Sequence, residues 1–129
     1  MPADARFDGP GPDAQYRQAL KEGRFALQHC DDCAAVLFPP AITCRKCGSV
    51  KLSWQPSTGL GAVYSTTTVR DRAGDYNVAI VELEGGARMM SRVEDIPPSD
   101  VRIGQPVTAR IVPGEEPFIV FAPSRREEA

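Results

Sequence analysis

The sequence predicts a mainly β protein in which a short N-terminal helix is followed by a rubredoxin-like zinc ribbon and a five-stranded OB-fold barrel. Three observations support this fold class. All four cysteines lie in two closely spaced pairs, a single stretch has apolar residues at helical spacing, and the second half consists of short segments rich in β-branched residues. The predicted boundaries are a disordered N-terminus at 1–12, the helix at 13–24, the ribbon at 25–56, the barrel at 57–123 and a flexible tail at 124–129.

The composition is that of a globular protein. Hydrophobic residues make up 42% and charged residues 25% of the 129 positions, which argues against a wholly disordered chain. No apolar run approaches the roughly 20 residues that a membrane helix requires. The opening MPADARFDGP has neither the basic start nor the apolar centre of a secretory signal. We therefore expect a cytoplasmic protein that makes no contact with a membrane.

The predicted helix begins with favourable N-terminal chemistry at Pro12 and Asp13. Tyr16 and Leu20 share one face at helical spacing, and Gly23 supplies a C-terminal stop. The sequence leaves open whether this helix only packs on the rest of the chain or docks on a partner.

Five segments of the second half have the alternation or β-branched content of strands. They span 59–70, 77–86, 87–95, 106–113 and 117–123. Five short strands without a long helix favour a small closed barrel, since closure removes exposed strand edges. Met89 and Met90 are adjacent in one strand, so only one of them can face the core.

The cysteines form two C-x-x-C pairs, Cys30 with Cys33 and Cys44 with Cys47. Each C-x-x-C turn directs two thiolates toward one point, and two such turns complete the tetrahedral sulfur set of a structural zinc site. We expect one structural Zn²⁺ per chain, because paired cysteines in a reducing compartment are more often metal ligands than disulfides. A redox dithiol and an iron–sulfur cluster are the rival interpretations.

The ribbon needs a metal because it has few large apolar side chains. Between the two pairs there are only Val36, Leu37, Phe38 and Ile42. Zinc ligation contributes on the order of 10 kcal/mol to the folding of such small modules. Four sulfur ligands also leave no position for a catalytic water.

No catalytic constellation stands out in the sequence. His29 is the only histidine, and no serine or carboxylate motif is an evident partner for it. Nucleic-acid binding is the alternative function, because ribbons and OB-folds both serve it. The net charge of −2 and the aromatic content of 7% argue against the basic, aromatic groove that single-stranded nucleic acid requires.

The order of parts resembles the DUF35-type zinc-ribbon/OB-fold proteins, which are described as acyl-CoA-associated. The resemblance covers residues 13–122 and is carried by the cysteine framework, the LFPP motif between the pairs, the GLGAVYSTTTV strand and the later IGQPV. Members commonly have glycine after the first pair and proline after the third cysteine. This chain has Ala34 and Arg45 at those positions.

The resemblance implies a small partner of a thiolase-like enzyme, such as a thiolase or an aldolase of acyl-CoA, steroid or aromatic degradation. The large subunit would supply catalysis, and this chain would stabilise a hetero-oligomer and help to form the acyl-CoA site. Contacts with the partner or acyl-CoA are predicted at Phe38, Pro39, Pro40, Trp54 and Tyr64. Two of these residues have structural alternatives, Phe38 in the ribbon core and Trp54 at the ribbon–barrel junction.

Overall fold

The computed structural model describes residues 11–124. The predicted disordered N-terminus and flexible tail lie almost wholly outside this range. The elements are α1 Pro12–Lys21, β1 Ala26–Cys30, β2 Val36–Leu37, β3 Leu52–Pro56, β4 Leu60–Val69, β5 Tyr76–Leu83, β6 Arg88–Ser91, a 3₁₀ turn Pro98–Asp100, β7 Pro106–Val112 and β8 Phe118–Pro123. Within residues 11–124, no helix is long and apolar enough to cross a membrane.

The helix α1 is shorter at its C-terminus than the predicted 13–24. It ends at Lys21, and Gly23 has the positive φ of +81° that terminates a helix. The backbone N–H of Gly23 donates to the carbonyl of Leu20, and that of Arg24 donates to the carbonyl of Ala19. This pair of hydrogen bonds is the Schellman motif, which satisfies the last helical carbonyls and ends the helix two residues before the glycine.

The ribbon is a three-stranded antiparallel sheet in the order β2-β1-β3. The buried Gln28 of β1 exchanges two hydrogen bonds with the backbone of Ala41, at 2.8 and 2.6 Å. These bonds hold the loop after β2 against β1. The loop contains the cis peptide bond between Phe38 and Pro39.

The second sheet has five antiparallel strands in the order β6-β5-β4-β7-β8. The two outer strands meet at Phe121 of β8, which makes two backbone hydrogen bonds to the segment after β6. Its N–H donates to the carbonyl of Arg92 at 3.0 Å, and its carbonyl accepts from the N–H of Glu94 at 2.7 Å. Ser91 adds a side-chain hydrogen bond to the carbonyl of Ile119. The sheet therefore curls into the predicted barrel, which confirms the five-stranded OB-fold.

One hydrophobic core connects the barrel with the ribbon and the helix. Its centre is formed by barrel side chains such as Val63, Val81 and Phe121, and it also includes Leu20 of α1 and Leu27 of β1. A second, much smaller cluster surrounds the cysteines. Because the larger core crosses the junction, the orientation of the ribbon on the barrel is fixed by side-chain packing.

The side chain of Tyr16 packs against the main core, and its hydroxyl group is buried there without a hydrogen-bond partner in the described residues. Its ring makes edge contacts with Phe25 and Phe38, and its buried hydroxyl has no partner among residues 11–124. An unsatisfied buried polar group costs about 1–3 kcal/mol. We therefore expect Tyr16→Phe to raise the free energy of unfolding by about 1 kcal/mol at pH 7, measured by urea denaturation.

The same substitution has a pH signature. Burial raises the pKa of Tyr16 above its ordinary value, so the unfolded chain ionises first when the pH rises above about 10. The native protein then loses stability with increasing pH, and Tyr16→Phe removes that part of the alkaline loss. A variant that is less stable than wild type at pH 7 would show that the hydroxyl has a partner in solution.

Candidate metal centre and apolar groove

The two C-x-x-C turns bring four sulfur atoms together. The Sγ atoms of Cys30, Cys33, Cys44 and Cys47 all lie within 4.8 Å of one another. Two separations, Cys30 to Cys47 and Cys33 to Cys44, are 3.6 Å. A tetrahedral ion with Zn–S bonds of about 2.3 Å requires sulfurs roughly 3.8 Å apart. The four sulfurs therefore fit the coordination shell of a tetrahedral zinc ion.

Matching backbone turns position the two pairs. The N–H of Ala34 donates to the carbonyl of Cys30, and the N–H of Gly48 donates to the carbonyl of Cys44. Both turns end in the left-handed region, with φ of +66° at Ala34 and +79° at Gly48. In the second turn this residue is a glycine, which adopts a positive φ without steric cost. In the first turn an alanine adopts the conformation that glycine favours.

Replacing that alanine is expected to stabilise the protein. A left-handed alanine costs roughly 1–2 kcal/mol, and the greater chain entropy of glycine offsets about 0.4–1 kcal/mol. Ala34→Gly should therefore raise the free energy of unfolding of the zinc-loaded protein by about 0.5–1 kcal/mol. The matched control is Ala35→Gly, which should destabilise, because Ala35 lacks a positive φ and packs against the cysteine cluster. Equal effects of the two substitutions would contradict this account.

The thiols are placed for ionisation but crowd one another. Two backbone N–H groups stabilise the Cys44 thiolate and lower its pKa to about 6. The N–H of Cys47 has the larger effect and that of Lys46 the smaller. At Cys47 the N–H of Ser49 acts in the same direction, but the neighbouring Cys30 sulfur and burial outweigh it, and the pKa rises to about 12. A divalent cation at the centre is the chemistry that allows all four sulfurs to be ionised together.

His29 is not part of this cluster. It lies on β1 beside Cys30, but its Nδ1 atom is 3.4 Å from a carboxylate oxygen of Asp31. Asp31 also accepts a hydrogen bond from Ser53 at 2.8 Å. Within residues 11–124, the four cysteines are the only cluster of three or more histidine, cysteine or acidic side chains that could hold a metal ion.

A groove of about 590 Å³ lies between the helix, the loop after β2 and the outer face of the barrel. Tyr16 and the Phe38-Pro39-Pro40 segment form one wall. The loop is held by the Gln28 bonds and by the Arg45 guanidinium, which donates to the carbonyl of Pro39 at 2.6 Å. The opposite side is formed by β5, β6 and β8, and includes Met90 and Phe118.

The structure separates the predicted contact residues. Phe38, Pro39 and Pro40 line the groove, whereas Trp54 and Tyr64 do not. Phe38 packs against the main core and the ring of Tyr16, with centroids 5.5 Å apart, so its alternative placement in the ribbon core is wrong.

Trp54 and Tyr64 occupy other surfaces. Trp54 lies against α1, where its indole N–H donates to Gln15 at 2.6 Å, so its alternative placement at the ribbon–barrel junction is wrong. Tyr64 is the extra residue of a β-bulge, and the guanidinium of Arg88 lies 3.8 Å from the centroid of its exposed ring. Acyl-CoA or partner contact stays a prediction at all five residues.

The sequence reasoning missed most of the barrel side of the groove. Met89 is buried and Met90 is 71% exposed, which confirms that only one methionine faces the core. Phe118 and Tyr76 also line the groove and are exposed. The available signal was the apolar character of alternate positions in these strands, but the sequence alone does not say which set faces outward.

A four-cysteine ribbon packed on a five-stranded barrel defines the class of zinc-ribbon/OB-fold proteins. Residues 17–53 match the family described as the rubredoxin-like zinc ribbon domain of ChsH2. Residues 54–112 match the family described as the C-terminal OB-fold domain of ChsH2. The chain therefore belongs to the DUF35 family, to which the solved and curated relatives below also point.

A solved structure named as the Ltp2-ChsH2(DUF35) aldolase is similar, with a TM-score of 0.75, 30% identity and coverage of 90% of this chain and 97% of that chain. A DUF35 domain-containing scaffold protein of Methanocaldococcus jannaschii is 36% identical over 62% of each chain. A probable enoyl-CoA hydratase alpha subunit of Thermomonospora curvata is 32% identical over 73% of this chain. The chain spans only 31% of that hydratase subunit and 62% of the scaffold protein.

Proposed function

We propose that this chain is a non-catalytic accessory subunit of a thiolase-like enzyme. The enzyme would be a thiolase or an aldolase of acyl-CoA, steroid or aromatic degradation, and the chain would stabilise the complex and help to form its acyl-CoA site. The proposal places both proteins in the cytoplasm as a hetero-oligomer. The names of similar proteins support this proposal, because they describe a scaffold protein, a hydratase alpha subunit and part of an aldolase.

The observation that carries the proposal is the apolar groove. It combines three parts of the fold, and its wall segment Phe38-Pro39-Pro40 is held in place by the Gln28 and Arg45 hydrogen bonds. A pre-ordered apolar segment binds with little loss of conformational entropy. Such a surface suits contact with a second protein or with an acyl-CoA bound between two proteins.

In this proposal one structural Zn²⁺ is held by Cys30, Cys33, Cys44 and Cys47. The metal would fix the ribbon, and the ribbon would position the proline loop beside the barrel. A shell of four cysteine ligands is closed, so the role assigned to the metal is structural and the chemistry is left to the large subunit.

The test is affinity capture of the tagged chain from a lysate of its own host, followed by reconstitution. We expect a thiolase-like enzyme to co-elute in a fixed molar ratio. Its purified form should gain acyl-CoA cleavage or condensation activity, or stability, when this chain is added. Full activity of the large subunit alone, with no stable complex, would contradict the proposal. Recovery of nucleic acid that is released by salt would favour the nucleic-acid alternative instead.

A further inference from the structure

The outer face of the barrel changes from charged to apolar along β5 and β6. Glu82 and Arg88 are opposite each other and form an exposed ion pair of 2.9 Å. The next outward pair, Ile80 and Met90, is apolar. The outward face of an antiparallel sheet is normally polar where water covers it. The apolar end of this face therefore has the character of a surface that another molecule covers.

This apolar end continues into the groove. On β8, Ile119 and Phe121 belong to the core, the alternating Phe118 is exposed at the groove, and Val120 lines the groove but is itself buried. Three of the seven exposed large hydrophobic residues of the described chain, Tyr76, Met90 and Phe118, line it.

The exposure of these side chains indicates a protein occupant. Pockets for small ligands enclose roughly 70–90% of the ligand surface. Met90 remains 71% exposed and Phe118 45% exposed, so they form an open face more than an enclosing wall. Aromatic residues, methionine and arginine are the side chains enriched where proteins meet.

The charges at the rim specify the occupant further. The exposed Arg17 has no ion-pair or hydrogen-bond partner within residues 11–124, whereas the Arg92 guanidinium is paired with Glu94 at 2.7 Å. Asp13 lies one turn before Arg17, in the first turn of α1, where the positive end of the helix dipole offsets its charge. Arg17 is therefore an exposed cation beside an apolar surface with no ion pair within residues 11–124, and the acidic Asp13, one turn before it, lines the same groove.

We propose that the groove receives an amphipathic segment of the enzyme subunit, whose apolar side chains pack on Met90 and Phe118 and whose carboxylate pairs with Arg17. This inference rests on the accessory role proposed above and assigns the contact surface. The segment would lie between α1 and the outer face of β6 and β8.

The test uses matched variants against the purified thiolase-like subunit identified by capture and reconstitution, with dissociation constants measured by calorimetry. Met90→Asp is compared with Ile103→Asp, because both residues are 71% exposed and Ile103 lies outside the groove. We expect Met90→Asp to weaken binding at least 30-fold, as at an interface hot spot, and Ile103→Asp to change it less than about threefold.

The charge prediction has its own pair of variants. Arg17→Glu should weaken binding about tenfold at low salt, mainly through slower association, and the loss should shrink as salt screens the repulsion. Arg102→Glu, which changes an exposed arginine outside the groove, should have little effect. Circular dichroism of each variant establishes that it is folded.

The outcomes separate this inference from the function on which it rests. If the wild-type chain forms no complex with a thiolase-like subunit, the proposed function fails. If the complex forms and Met90→Asp binds as well as Ile103→Asp, the function stands and the groove is not the contact surface. A third outcome is that the isolated chain binds octanoyl-CoA, and that Met90→Asp abolishes this binding without changing the affinity for the enzyme subunit. This result would identify the groove as an acyl site and overturn the inference. Self-association that only Met90→Asp abolishes would also overturn it.

Discussion

Removing the metal is expected to unfold the ribbon and to lower the melting temperature of the whole chain by at least about 15 °C. Zinc ligation in small modules contributes about 10–16 kcal/mol, which is as large as the roughly 5–15 kcal/mol by which whole domains are stable. The cluster around the sulfurs cannot replace it, since its buried members are Cys30, Leu37 and Cys44 alone.

The loss should extend beyond the ribbon. Leu27 and Phe38 belong to the ribbon segment but pack in or against the main core, so unfolding of the ribbon exposes one side of the barrel. The measurement is thermal unfolding by circular dichroism before and after a high-affinity zinc chelator, together with metal analysis, which should give one zinc per chain.

The variant that tests this account is Cys30→Ser, since Cys30 is buried and is one of the four clustered sulfurs. It should behave like the chelated protein. The control is Ser49→Ala, a substitution beside the second pair that removes two exposed hydrogen bonds of the hydroxyl, one donated to Asp32 and one accepted from the N–H of Lys51. It should change stability by less than about 1 kcal/mol. An unchanged melting temperature after complete removal of zinc would contradict the structural role.

The parts of the fold that follow from local chemistry were predictable from the sequence. The sulfur cluster follows from the C-x-x-C spacing, and the strands follow from β-branched residues punctuated by glycine and proline. The end of α1 was placed three residues late, because Gly23 was treated as the stop itself. In the Schellman motif the glycine lies beyond the last helical residue, here Lys21.

Most of the groove lining could not be predicted, because it depends on which side of each strand faces outward. Alternate apolar positions such as Val78, Met90 and Val120 have the same pattern as core positions in a strand. The structure places Val78 and Met90 on the outer face, and Val120 lines the groove although it is only 1% exposed. The contact between Trp54 and Gln15 is likewise a tertiary one, between residues 39 positions apart.

The register of β8 leads to the second large effect: Phe121→Ala should cost about 3–5 kcal/mol, as for a large buried aromatic side chain. Phe121 is 0% exposed and lies at the seam where β8 meets the segment after β6. The substitution leaves a cavity in the core that the closed barrel cannot easily collapse. Urea denaturation of the zinc-loaded protein measures the loss.

Phe118→Ala is the matched control, because it makes the same change on the same strand at a residue that is 45% exposed and faces the groove. It should cost less than about 1 kcal/mol in stability. Equal costs at the two positions would mean that the strand does not have the described register. Because Phe118→Ala should keep the fold and still weaken binding of the enzyme subunit, the two phenylalanines separate the residue that closes the barrel from the residue that we assign to recognition.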